Sequence, residues 1–109
     1  MATAVKVLGQ SAPDAATATT LYTVPASTAT VVSSLTVCNR GSAATRFRVA
    51  VRPAGAELAN AHYLYYDVEI PGYDTFVATL GLTLETTDVV TVYATAAQLS
   101  FSLFGEETT

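Results

Sequence analysis

The sequence has little charge and few chemically specialised side chains. Of its 109 residues, 13% are charged, one is cysteine, one is histidine and none is tryptophan. Soluble domains usually have about a quarter of their residues charged. Because Cys38 is the single cysteine, no internal disulfide supports the fold. Cys38 follows Val37 in an apolar run, and we interpret it as a small core residue.

The scarcity of histidine and cysteine limits the chemistry that the chain can support. A lone His62 without a G-x-S-x-G motif does not indicate a Ser-His-Asp site. One cysteine and one histidine supply too few ligands for a typical zinc site. No glycine-rich phosphate loop and no EF-hand spacing is present, although acidic residues near predicted strand ends leave calcium as a minor alternative. The sequence therefore predicts a protein that is not an enzyme and that holds no cofactor or metal.

The chain carries a small negative net charge. The net charge is −4, from five basic and nine acidic residues, which argues against general nucleic-acid binding.

The first residues, MATAVKV, lack the charged and long apolar regions of a secretory signal. No apolar run approaches the 18 or so residues of a membrane span. We therefore expect synthesis in the cytoplasm and no membrane contact.

The stretch from Val31 to Arg52 shows the pattern that recurs along the chain. Its second half alternates, with Phe47, Val49 and Val51 on one face and arginines on the other. Successive side chains of a strand face opposite sides, so this pattern predicts a strand with one buried and one solvated face.

Similar runs predict seven or eight short strands separated by turn residues. The predicted strands lie within residues 1–10, 20–24, 31–38, 45–52, 62–68, 74–84, 89–94 and 98–104. Gly81 predicts a bulge or bend in the longest of them. Residues 57–61 predict at most one or two helical turns, and residues 1–4 and 105–109 are expected to be flexible.

This arrangement predicts a single all-β domain over residues 1–109. We expect an antiparallel β-sandwich with jelly-roll or other Greek-key connections. A parallel α/β sheet is excluded, since no long helix alternates with the strands.

Arginines and tyrosines form the best candidate for an interaction site. Tyrosine is favoured at protein interfaces because it buries a large area and keeps a polar tip. A solvated strand face and ordinary core or edge packing remain the structural alternatives, and tyrosine rings could also stack on sugars. The candidate interface residues are Arg40, Arg46, Arg48, Arg52, Tyr63, Tyr65, Tyr66 and Tyr73.

Six sequence blocks are spread from Leu21 to Gly105, namely LYTVPA, VVSSLTVCNRG, FRVAVRPAG, HYLYYDVEIP, LGLTLETTDVVTVYA and LSFSLFG. These blocks resemble a family of small virion structural proteins of tailed bacteriophages. The resemblance transfers no individual functional residues, because the blocks carry no catalytic signature.

The resemblance implies a non-enzymatic subunit built into or attached to a phage particle. Such a subunit would be made in the host cytoplasm and localised in the virion, as a capsid decoration or as a tail, collar or baseplate accessory. Its expected partners are copies of itself, in a trimer or ring, and other virion proteins such as the major capsid or tail protein. A carbohydrate-binding β-sandwich module that aids host adhesion is the alternative hypothesis.

Overall fold

The computed structural model describes residues 2–109 and contains two four-stranded antiparallel sheets. The first sheet has the strand order β1-β8-β3-β6, and the second has the order β2-β7-β4-β5. The strands are β1 (Thr3–Ser11), β2 (Thr19–Thr23), β3 (Ala29–Asn39), β4 (Thr45–Arg52), β5 (Tyr63–Ile70), β6 (Thr75–Leu84), β7 (Val89–Ala94) and β8 (Leu99–Thr108).

The connections are those of a jelly roll. Strand β1 pairs with β8, β2 with β7, β3 with β6 and β4 with β5, all antiparallel. The chain thus forms one long antiparallel ribbon of four strand pairs. Successive pairs along the ribbon lie alternately in the first and the second sheet. This topology confirms the predicted antiparallel β-sandwich of seven or eight strands, and the number of strands is eight.

Alternating apolar residues from both sheets form the core. Strand β4 contributes Phe47 and Val49, and β8 contributes Leu99, Phe101 and Leu103, all of which are buried. Phe47 packs against Phe101 with ring centroids 6.1 Å apart, so the two sheets meet through aromatic contacts. The two-residue period that predicted the strands also determines which side chains reach this core.

The bulge predicted at Gly81 is present. Strand β3 advances from Val32 to Ser34 while its partner β6 runs from Leu82 back to Thr79, so β6 contains one extra residue there. A bulge interrupts the ladder and increases the local twist of a strand.

The end of the chain differs from the expectation. The strand predicted over residues 98–104 instead continues to Thr108, which pairs with both Thr3 and Ala29. Of the residues predicted to be flexible, 3–4 lie in β1 and 105–108 lie in β8, while Met1 is outside the described residues. The acidic composition of this end suggested a loose tail, but Glu107 is held by Lys6 at 3.1 Å and by the hydroxyl of Tyr22.

Two smaller expectations also need correction. The predicted helical piece at 57–61 is only a single 3₁₀ turn, Asn60–His62, in which the Nδ1 atom of His62 accepts a hydrogen bond from the Ala59 N–H at 3.1 Å. Cys38 is half-buried between Thr75 and Ser100 and not in the core, because its neighbour Val37 occupies the inward position. Within residues 2–109, no helix has the length and apolar character that a membrane crossing requires.

Candidate interaction surfaces

The structure brings four of the eight predicted interface residues together on the outer face of the second sheet. Arg46 and Arg48 alternate with the inward-facing Phe47 on β4, and Tyr63 and Tyr66 lie on the neighbouring strand β5. The two tyrosine rings meet edge to face with centroids 4.9 Å apart. Arginine and tyrosine side chains are therefore brought together here by the pairing of β4 with β5.

Arg48 lies at the centre of this group. Its guanidinium lies 4.1 Å from the ring centroid of Tyr66 and 4.3 Å from that of Tyr93. Its Nε donates to Oδ1 of Asp67 at 2.7 Å, and its Nη2 donates to Oδ2 of the same carboxylate at 3.4 Å. We call Arg48, Tyr66, Asp67 and Tyr93 the arginine–tyrosine cluster; its side chains satisfy one another by cation–π contacts and a forked ion pair.

A bulge in β5 makes this arrangement possible. Phe47 pairs with Val68 and Val49 with Tyr65, so both Tyr66 and Asp67 lie opposite Arg48. Asp67 has a φ of 53°, a left-handed conformation that few residues other than glycine adopt readily. The extra residue allows a ring and a carboxylate from consecutive positions to contact the same guanidinium.

The ion pair shifts the protonation equilibria of both partners in the expected directions. The hydrogen bond from Arg48 holds the pKa of the Asp67 carboxyl below its ordinary value, and the same hydrogen bond raises the pKa of Arg48. Asp67 and Arg48 are therefore both charged across the physiological range, and the pair behaves as a fixed dipole on the surface.

Arg52 is not part of this cluster. Its Nε donates to the hydroxyl of Thr91 at 3.0 Å, and its Nη1 donates to the carbonyls of Gly55 and Ala56. Arg52 thus fixes the turn that follows β4.

Arg40 and Tyr73 lie together at one end of the sandwich. The Tyr73 N–H donates to the carbonyl of Gly41, beside Arg40, and the Tyr73 side chain is 75% exposed. Buried Asn39 anchors this end, since its amide donates to the carbonyls of Ala43 and Ile70.

Tyr65 points in the opposite direction to Tyr66. Its ring packs against Phe47 at 6.1 Å and Phe76 at 5.4 Å, on the inner side of the sheet. Its structural role is to close the core at the edge of the second sheet, which separates it from the exposed tyrosines.

The outer face of the first sheet is a second, chemically different surface. Strand pairing places serine, threonine and valine side chains side by side across its four strands, with Glu106 as its single charged residue. Five large apolar side chains lie on it, namely Val5, Val7, Val31, Val77 and Phe104; the four valines are exposed and Phe104 is half-buried. We call this surface the Ser/Thr/Val face.

An open depression of about 660 Å³ lies at the end of the sandwich where the chain terminates. Its lining includes Thr28, Thr86 and Thr108. The Thr86 hydroxyl donates to the carbonyl of Pro25 and accepts from the Thr28 N–H. These hydroxyls therefore hold two neighbouring turns together. In the part of the chain that the structure describes, no three His, Cys, Asp or Glu side chains are grouped as a metal site.

Comparison with known proteins gives no family for this chain: neither the family models nor the curated proteins include a match.

Sequence reasoning missed several residues of both surfaces. Tyr93 was detectable, because the alternation of β7 places it on the same face as Thr91 and away from buried Val92. Asp67 was not, since its contact with Arg48 depends on the bulge. The low proportion of charged residues indicated that a surface like the Ser/Thr/Val face exists. Its extent could not be predicted, because it depends on which strands are neighbours in the sheet.

Proposed function

We propose that this protein is a non-enzymatic structural subunit of a tailed-phage virion. It would associate with copies of itself and dock on the particle, either as a capsid decoration or cement protein or as a tail, collar or baseplate accessory. The observation that carries the proposal is the Ser/Thr/Val face, a sheet surface with exposed valines and one charged residue.

The chemistry of this face favours contact with protein. Val5 and Val77 are 82% and 63% exposed, and no lysine or arginine lies among the outward residues to keep neighbouring proteins away. Depletion of charge with retained apolar side chains is typical of the centre of a protein interface. A large apolar surface on a free molecule is a feature that usually marks an interaction site.

The second sheet offers a complementary kind of surface. The arginine–tyrosine cluster consists of residue types that are enriched among the energetically dominant contacts of interfaces. Since Arg48 is already ordered by Tyr66, Tyr93 and Asp67, little side-chain entropy would be lost when a partner binds it. A subunit with two such faces can contact two different neighbours in a particle.

Two weaker arguments support the same proposal. The sequence blocks described above resemble small virion proteins, and jelly rolls occur among viral capsid domains. Jelly rolls also occur among lectins, so the topology by itself does not select between these functions.

Mass spectrometry of purified particles from the phage that carries this gene would test the proposal. We expect peptides of this chain at a stoichiometry above a few copies per particle, retained through density-gradient purification. A double variant, Val7→Lys with Val31→Lys, should fold but be depleted from particles. Absence of the wild-type chain from purified particles would contradict the proposal.

Carbohydrate binding is the second candidate function, favoured by the exposed ring of Tyr73. Exposed tyrosines can stack on sugar rings, but Tyr66 already has Arg48 over its ring. Tyr73 is therefore the better sugar platform. Binding on a glycan array that is lost in Tyr73→Ala and kept in Tyr66→Ala would favour this function over a purely structural one.

A further inference from the structure

The four edge strands of this sandwich are protected to different degrees. Strands β1 and β6 end the first sheet, and β2 and β5 end the second. An edge strand presents unpaired N–H and C=O groups that can pair with another chain. Proteins usually protect such edges by short length, bulges, proline or charge, including charges that point inward.

All four edge strands contain a register shift, and three of them combine it with short length or charge. Strand β2 has only five residues and a register shift between Thr20 and Tyr22. Strand β5 has two register shifts and contains Asp67 and Glu69. Strand β1 contains Lys6, whose ammonium group is bound to Glu107 beneath the sheet edge, and it bulges after Val7.

Strand β6 lacks charge and proline along all ten residues, TFVATLGLTL. From Thr75 to Thr79 its pairing with β3 is regular, each residue facing the next in order from Cys38 to Ser34. The bulge beside Gly81 ends this regular segment. Residues 75–79 are therefore a regularly paired edge segment without charged side chains, and at its start the Thr75 N–H donates to Oδ1 of Asp74.

The side chains of this segment are also only partly covered. Val77 is 63% exposed on the outer side, while Phe76 and Ala78 on the inner side are only half-buried, although Phe76 packs against Phe47. A strand added beside β6 would cover the edge hydrogen-bonding groups and these apolar side chains together.

We propose that residues 75–79 of β6 pair antiparallel with the same segment of a second copy of this chain. The two-fold axis passes at Val77, so that Val77 faces Val77 and Thr75 faces Thr79. Two first sheets then form one eight-stranded sheet, and two Ser/Thr/Val faces become continuous.

The composition of residues 75–79 favours a second copy of this chain as the partner that pairs with β6. A two-fold axis makes equivalent strands antiparallel and brings identical side chains together, which is unfavourable for charged residues and favourable for valine. An uncharged edge next to a face with one charged residue meets this requirement. The inference rests on the self-association in the proposed function and specifies it as a dimer contact.

Disulfide trapping tests the register directly. In a Cys38→Ser background, Val77→Cys should form a covalent dimer under mild oxidation, because directly opposed residues have Cα atoms about 4.5 to 5.5 Å apart, within the span of a disulfide. Thr20→Cys in the same background, on the protected edge β2, is the matched control and should stay monomeric on a non-reducing gel.

Sedimentation equilibrium provides the second measurement. Val77→Lys places like charges opposite each other and should weaken the dimer about tenfold or more, whereas Val77→Thr should change it much less. Circular dichroism should show the same fold for both variants. A monomeric wild-type chain, a dimer insensitive to Val77→Lys, or equal cross-linking at Thr20→Cys would overturn the pairing.

These outcomes are separable from those of the proposed function. A dimer that survives Val77→Lys removes β6 pairing but leaves particle association untouched. Absence of the chain from particles removes the virion role, while Val77-dependent dimers in solution would still establish the β6 contact.

Discussion

The outer faces of the two sheets differ in how completely their side chains satisfy one another. On the second sheet, Arg48 is held between two tyrosine rings and paired with Asp67. On the first sheet, Val5 and Val77 have most of their surface exposed, beside hydroxyl side chains. The charged and aromatic side chains of the second sheet thus mainly contact one another. The first sheet, which lacks such a cluster, leaves more apolar side-chain surface exposed for a partner.

The largest expected effect on stability comes from alanine substitution of Tyr65, and the neighbouring Tyr66, on the opposite face of β5, is its control. Tyr65→Ala should lower the free energy of unfolding by roughly 2 to 3 kcal/mol, because it opens a cavity against Phe47 and Phe76. Tyr66→Ala should cost less than about 1 kcal/mol, since the residue is 56% exposed and its contacts with Arg48 and Tyr63 lie at the surface. Urea unfolding of both variants measures the difference, and equal losses would contradict the inward orientation of Tyr65.

Arginine truncation tests whether the arginine–tyrosine cluster is self-contained. Arg48→Ala should destabilise the protein more than Arg46→Ala, because it removes two ring contacts and both hydrogen bonds to Asp67. Arg46 makes one exposed ion pair, with Glu69 at 3.5 Å, and its loss should cost about 0.5 kcal/mol or less. Thermal melts would contradict this account if the two variants had the same midpoint.

Acid should weaken the sandwich through Glu107, near the end of the interior strand β8. Hydrogen bonds from Tyr22 and Lys6 hold the pKa of the Glu107 carboxyl below its ordinary value. The unfolded chain therefore binds the proton more readily, so this stabilisation is complete above the unfolded pKa and is lost as the pH falls through the folded one. Glu107→Gln should flatten the dependence of the urea midpoint on pH below about 5, and an unchanged slope would contradict the assignment.

The stability of the protein should also fall at high pH, because Tyr22 at the same site loses its proton. Burial, followed by the hydrogen bond to Glu107, raises the pKa of the Tyr22 hydroxyl to about 12. Stability from the neutral hydroxyl is present below the ordinary pKa near 10 and is lost as the pH rises through the folded value. Tyr22→Phe should remove this alkaline loss in the same titration, at the cost of the hydrogen bonds to Glu107 and Thr30.

The Ser/Thr/Val face should show the smallest effect on folding. Val5→Thr removes apolar surface from a position that is 82% exposed, and the free energy of unfolding should change by no more than about 0.5 kcal/mol. Val32→Thr on the same sheet is the matched control, since Val32 is fully buried and should lose several times more. A comparable loss at Val5 would show that this face is already packed within the monomer.

Local pattern was enough to locate most strands and the bulge at Gly81. Periodicity of two identifies which residues share a face, and proline and glycine mark where strands end. It failed at Gly105, which has no side chain to signal a strand and whose place in β8 depends on pairing with β1 and β3. Alternation places Tyr65 and Tyr66 on opposite faces of one strand, but it does not say which face is buried, and the structure shows that Tyr65 packs against Phe47 and Phe76.

By itself the sequence determined that the chain is an all-β sandwich, that it has unusually few charged residues, and that arginines and tyrosines fall on strands that follow one another along the chain. These properties depend on composition and on the period of a strand, which are local. Only the tertiary structure decided that Arg48 meets Asp67 and Tyr93, and that β6 is an edge with regular, uncharged backbone. Strand order and bulges arise from contacts between segments far apart in the chain, and no local pattern specifies them.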